Sequence, residues 1–60
     1  MKAFVETDAG IFKIYDMGDD WKIIGPRFER WFSVWKADKS VSLRRAIDAI
    51  PGNHIHTEFC

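Results

Sequence analysis

Three short runs of β-branched and aromatic residues, each ended by a turn signal, occupy the first 25 positions and dictate antiparallel strands. KAFVET (2–7) and IFKIYD (11–16) flank Asp8-Ala9-Gly10, which suits a hairpin turn. Met17-Gly18-Asp19-Asp20 makes a second turn before WKII (21–24), and Gly25-Pro26 breaks that third strand.

Residues 28–35 fit two templates. Phe28, Trp31, Phe32 and Trp35 follow the i, i+3, i+4, i+7 spacing of a helix, and Pro26 suits a first helical turn. RWFSVW (30–35), however, is poor in helix formers and rich in strand formers, and ADKS (37–40) behind it reads as a turn. The balance favours a fourth strand. SLRRAIDAI (42–50) is the clearest helix: Leu43, Ala46, Ile47 and Ile50 share a face, with Arg44, Arg45 and Asp48 away from it. Ser42 or Ser40 suits its cap, and Pro51-Gly52-Asn53 stops it. The tail HIHTEFC (54–60) alternates polar and apolar residues, the pattern of a last short strand. The expected fold is therefore α+β: a small antiparallel β-sheet of three to five strands with one α-helix, about 42–50, packed on one face. No repeat, low-complexity stretch or linker interrupts it, so 1–60 reads as a single domain.

A sheet this small needs a dense core. About 60% of the unfolded surface is all that a chain of this length buries, and Cys60, the only cysteine, leaves no disulfide to help within the chain. Phe4, Phe12, Tyr15, Trp21, Phe28, Trp31, Phe32, Trp35 and Phe59 are the substitute, since each aromatic can bury roughly 150–250 Å². No apolar run approaches a membrane span, and residues 1–10 lack a secretory signal's apolar stretch. The expectation is a free-standing cytoplasmic protein with no membrane partner. Small proteins of this kind often serve as accessory regulators or inhibitors, some of them from phages or other mobile elements.

Net charge is zero, yet the charges are segregated. Glu6, Asp8, Asp16, Asp19 and Asp20 outnumber Lys2 and Lys13 at the start of the chain. Lys22, Arg27, Arg30, Lys36, Lys39, Arg44 and Arg45 outnumber Glu29 and Asp38 in the middle. A basic middle between acidic ends points either to an anionic partner or to neutralisation across the fold. With 42–50 as the helix, Arg44 and Arg45 fall in its first turn, where cations are unfavourable. With Lys39 and the free N–H groups they could hold a phosphate or an acidic side chain there; the simpler reading has them paired with the acidic hairpin or extended into water. In the tail, His54, His56, Glu58 and Cys60 would share one side of a strand. Each is a zinc ligand by type, but only neighbours such as His54 and His56 lie close enough to share an ion, and four ligands are normally needed. The bland alternative is a solvated edge strand, and no metal or cofactor is expected. Phosphate loops, nucleophile elbows and metalloprotease helices are absent, so catalysis is not expected either.

The remaining signal is a surface. In a strand, Phe32 and Val34 share one face while Trp31, Ser33 and Trp35 share the other. One helix covers one face only, so the second tryptophan-bearing face needs a partner. The expected partner-binding residues are Trp31 and Trp35 with Arg30, Lys36, Arg44 and Arg45, and the leading expectation is a non-enzymatic protein-binding module. Two alternatives stand beside it. The basic aromatic middle, with Trp21, Lys22, Arg27 and Phe28 added, has the composition of a nucleic-acid surface. The element order, a short sheet followed by a helix, resembles integrase-arm and plant AP2 domains, which insert the sheet into a DNA groove; no motif residue carries over. The other alternative is a structural homodimer formed through the same aromatic surface.

Overall fold

Each strand of this protein places its apolar residues on both sides in alternation, and the register of the sheet decides which set becomes core. The computed structural model describes residues Met1–Cys60. Its elements are β1 (Ala3–Thr7), β2 (Gly10–Asp16), β3 (Asp20–Gly25), β4 (Phe28–Ser33), α1 (Lys39–Asp48) and β5 (His54–Phe59). The strands form one antiparallel sheet in the order β4-β3-β2-β1-β5. The expected α+β architecture holds, with all five strands present. Residues 28–33 are a strand, because this aromatic-rich stretch, with Phe28, Trp31 and Phe32, finds a partner in β3 along its whole length.

Cross-strand partners set the core. Ala3 faces Ile14, Val5 faces Phe12, Ile14 faces Ile23 and Trp21 faces Phe32. Ala3, Val5, Phe12, Ile14, Trp21 and Ile23 are buried under α1, which contributes Leu43, Ala46 and Ile47. Trp21 is fully enclosed, its indole Nε1–H donating to Ser42 Oγ at 3.0 Å. Gly25 is required where it stands: a Cβ there would collide with the ring of Phe12. That ring meets Phe28 edge-on at 5.4 Å.

Ten helical residues make a rod about 15 Å long, whereas five strands about 4.8 Å apart span roughly 19 Å. The two outer strands are therefore only partly covered. Phe28 and Phe32 on β4 are half-buried, and Phe59 on β5 is exposed.

Three expectations need correction. The helix begins at Lys39, not Ser42, and ends at Asp48. Its cap is Asp38, whose carboxylate accepts from Val41 N–H at 3.2 Å and from Ser40 Oγ–H at 3.1 Å. Ser42 instead lies inside the helix, donating to Lys39 O at 2.9 Å. The strand reading of 30–35 also stops short. β4 ends at Ser33, Val34 turns into the core, and the N–H of Asp38 bonds Trp35 O at 2.9 Å to close a turn. Trp35 is thereby carried to the helix side, away from Trp31. The third correction is in β5, where Glu6 pairs with His56 but Thr7 pairs with His54. Ile55 is the extra residue of a bulge, and a bulge reverses the alternation beyond it. His54 consequently sits on the helix side, donating to Ile50 O at 2.8 Å, while His56 is on the opposite face beside Glu58 at 3.1 Å. The two imidazoles cannot share one ion.

At one end of the sheet, Asp8 clips the first hairpin to the loop before β5. Its carboxylate accepts from Asn53 N–H at 2.9 Å and Nδ2–H at 3.0 Å, and its own N–H donates to Asn53 O.

Candidate functional site

The side of the sheet away from α1 carries no covering element. Alternation places Phe4 and Glu6 of β1, Ile11, Lys13 and Tyr15 of β2, Lys22 and Ile24 of β3, and Glu29 and Trp31 of β4 on this face. Their registers build two cross-sheet rows. One runs Glu58, Phe4, Lys13, Ile24, Glu29; the other runs Tyr15, Lys22, Trp31. Ile11, Ile24 and Trp31 are 54%, 41% and 50% exposed, so apolar surface of three strands faces water together. Lys22, in the second row, reaches across to the first: its ammonium is 5.1 Å from the Trp31 ring centroid and 3.6 Å from Glu29 Oε1. Lys13 and Lys22 are thus set among Glu6, Glu29 and Glu58, and neither sign of charge dominates.

On the helix side, a concavity of about 500 Å³ lies between α1 and β4. Phe32, Ser33, Trp35, Ser42, Arg45, Asp48 and Ala49 line it. Arg45 lies 4.8 Å over the Trp35 ring, and Arg30, on the same side of β4, lies 5.7 Å from the Phe28 ring.

The six residues singled out from the sequence do not form one site. Trp31 alone is on the open face. Trp35 and Arg45 are on the wall of the groove, and Arg30 lies alongside on the helix side of the edge strand. Lys36 is beyond β4, paired with Asp19 at 3.2 Å. Arg44 is on the other flank of α1, beside Ile47 and Phe59. With the helix starting at Lys39, Arg44 and Arg45 have left its first turn; Arg45 is in the last turn, where a cation is favoured by the helix dipole. The anion-holding arrangement at the helix start has no such arginines. Lys39, the third member, is committed to Asp16 Oδ2 at 2.9 Å and lies over Trp21 at 5.6 Å.

Sequence reasoning passed over Ile11, Tyr15 and Ile24. The signal for them was present in the strands themselves: IFKIYD and WKII carry apolar residues at both parities, so one parity must be left on the uncovered face. Trp21, grouped from composition with a binding surface, is core. No three His, Cys, Asp or Glu side chains gather where they could hold a metal ion. Comparison with protein-family models, curated proteins and solved structures gives no match to this chain.

Proposed function

We propose that this chain is a small binding module that works without catalysis, recognising a protein partner through the helix-free face of its sheet and thereby regulating or inhibiting a larger macromolecule. One observation carries the reading: Ile11, Ile24 and Trp31 are exposed together on a face that no element of the fold covers. Contiguous apolar patches rimmed by polar residues mark interaction sites, and tryptophan is among the residues enriched at the energetic centres of protein interfaces. The mixed charge of the face favours a protein over duplex DNA, whose affinity comes from many phosphate contacts. Lys22 is already engaged with Glu29 and Trp31, which reduces what the face could offer a phosphate backbone.

The test is capture from host lysate by wild type and by Trp31→Ala, with and without nuclease, read by mass spectrometry. A protein set retained by wild type, insensitive to nuclease and lost with Trp31→Ala at unchanged melting temperature is the expected result. Capture abolished by nuclease would instead favour nucleic acid. A captured set unaffected by Trp31→Ala would remove the open face as the site.

A further inference from the structure

We propose that β4 pairs edge to edge with β4 of a second copy, antiparallel about a two-fold axis at Trp31, giving one continuous ten-stranded sheet. This goes beyond recognition by the open face, because it rests on the backbone of the edge strand.

The two edges of the sheet differ. β5 is interrupted by the bulge at Ile55, a usual device for blunting an edge. β4 pairs with β3 residue for residue from Phe28 to Ser33, with no register shift and no proline. Its outward groups follow from parity. Val34 N–H donates to Asp19 O at 2.9 Å, so the even-numbered residues of this strand are those bonded to β3. In an antiparallel ladder the bonding direction alternates, so the N–H and C=O of Glu29, Trp31 and Ser33 point out of the sheet.

Side chains then select the register. A two-fold axis at Arg30 would set two guanidinium groups opposite each other, and one at Glu29 would oppose two carboxylates; like charges directly opposite are destabilising. An axis at Trp31 pairs Glu29 with Ser33 of the second copy and Trp31 with its own counterpart, two backbone bonds at each pair. It also sets Arg30 opposite the second copy's Phe32, an arrangement this arginine already adopts toward Phe28. Phe32 lines the groove that holds Asp48, a carboxylate with no ion pair in its own chain. The incoming Arg30 brings a second cation, beside Arg45, to the groove that holds this carboxylate. The two half-exposed Trp31 rings meet on the open face, and zero net charge leaves no long-range repulsion between copies.

Amide hydrogen exchange by NMR and sedimentation equilibrium, run on the full chain between about 10 μM and 1 mM to span dissociation constants of that order, test this. The expected result is a mass rising toward two chains. Over the same range the Glu29, Trp31 and Ser33 amides slow by about tenfold or more, while the intrachain-bonded Phe28, Arg30 and Phe32 amides stay protected throughout. Ser33→Pro removes an outward N–H that no intrachain bond uses, so it should keep the dilute melting temperature and abolish the mass increase. If that variant fails to fold, the wild-type exchange pattern alone decides. A monomer at 1 mM with those three amides exchanging freely would overturn the proposal. So would a dimer whose newly protected amides lie on β5, or protection of β4 that appears only when a different protein is added.

Discussion

An indole N–H sealed inside so small a core needs an acceptor, and Ser42 is that acceptor. Trp21 comes from β3 and Ser42 from the middle of α1, where serine is a mediocre helix former. The hydroxyl resolves both demands by accepting from Trp21 Nε1 and donating to Lys39 O one turn earlier. Removing the hydroxyl strands a buried donor, which costs about 1–3 kcal/mol. In a domain of this size each kcal/mol moves Tm by roughly 4–8 °C. Ser42→Ala should therefore lower Tm clearly in thermal unfolding followed by circular dichroism. Trp21→Phe removes the donor itself, so Ser42→Ala in that background should cost markedly less than in wild type. Equal costs in the two backgrounds would show that the hydrogen bond contributes nothing.

Among the elements, the start of α1 and the β2–β3 turn are joined by Asp16 and Lys39. The Lys39 ammonium, 2.9 Å from the Asp16 carboxylate, and the Gly18 N–H donating to it at 2.9 Å hold the Asp16 pKa below its ordinary value. A carboxyl depressed in the folded state adds stability above its unfolded pKa, about 3.9, and that contribution is lost as pH falls through the folded value. NMR titration should place the Asp16 midpoint below that of an unstructured aspartate, and Lys39→Met should move it upward. An Asp16 midpoint unchanged by Lys39→Met would mean that the bridge is not populated in solution. This tie also bears on what could be read from sequence. The strands were legible because turn residues separate them and β-branched or aromatic residues fill them, and in RWFSVW propensity chose strand over helix rightly but only as far as Ser33, since nothing in it marks the turn that follows. The helix start was not, because Asp38 reads equally as a turn residue and as a cap, and only the bond to Val41 N–H separates the two. The bulge at Ile55 was hidden for a related reason: His54, His56 and Glu58 fall at one parity of HIHTEF with no mark of a break, and the shift that pairs Thr7 with His54 lies next to the Asp8–Asn53 clip, a contact between residues far apart in sequence.

At the scale of the whole molecule, one short helix over five strands divides the three tryptophans into three environments. Trp21 is sealed beneath α1, Trp35 lies 41% exposed against Arg45, and Trp31 stands half-exposed on the uncovered face. The sequence could name a tryptophan surface, but not that the chain would turn after Ser33 and separate Trp31 from Trp35, because that turn depends on Val34 entering the core. The division makes a quantitative expectation. A chain of this length has a total stability of about 3–9 kcal/mol at 0.05–0.15 kcal/mol per residue. Truncating a core tryptophan costs about 3–5 kcal/mol, so Trp21→Ala should leave the protein largely unfolded at room temperature. Trp31→Ala and Trp35→Ala remove rings that water already reaches, and each should shift Tm by only a few degrees. Fluorescence supplies the independent measurement. In Trp→Phe variants that keep a single indole, the one retaining Trp21 should emit furthest to the blue and resist acrylamide, and the one retaining Trp31 should be quenched readily when dilute. If Trp31→Ala unfolds the protein as Trp21→Ala does, the open face is core and the interaction surface lies elsewhere.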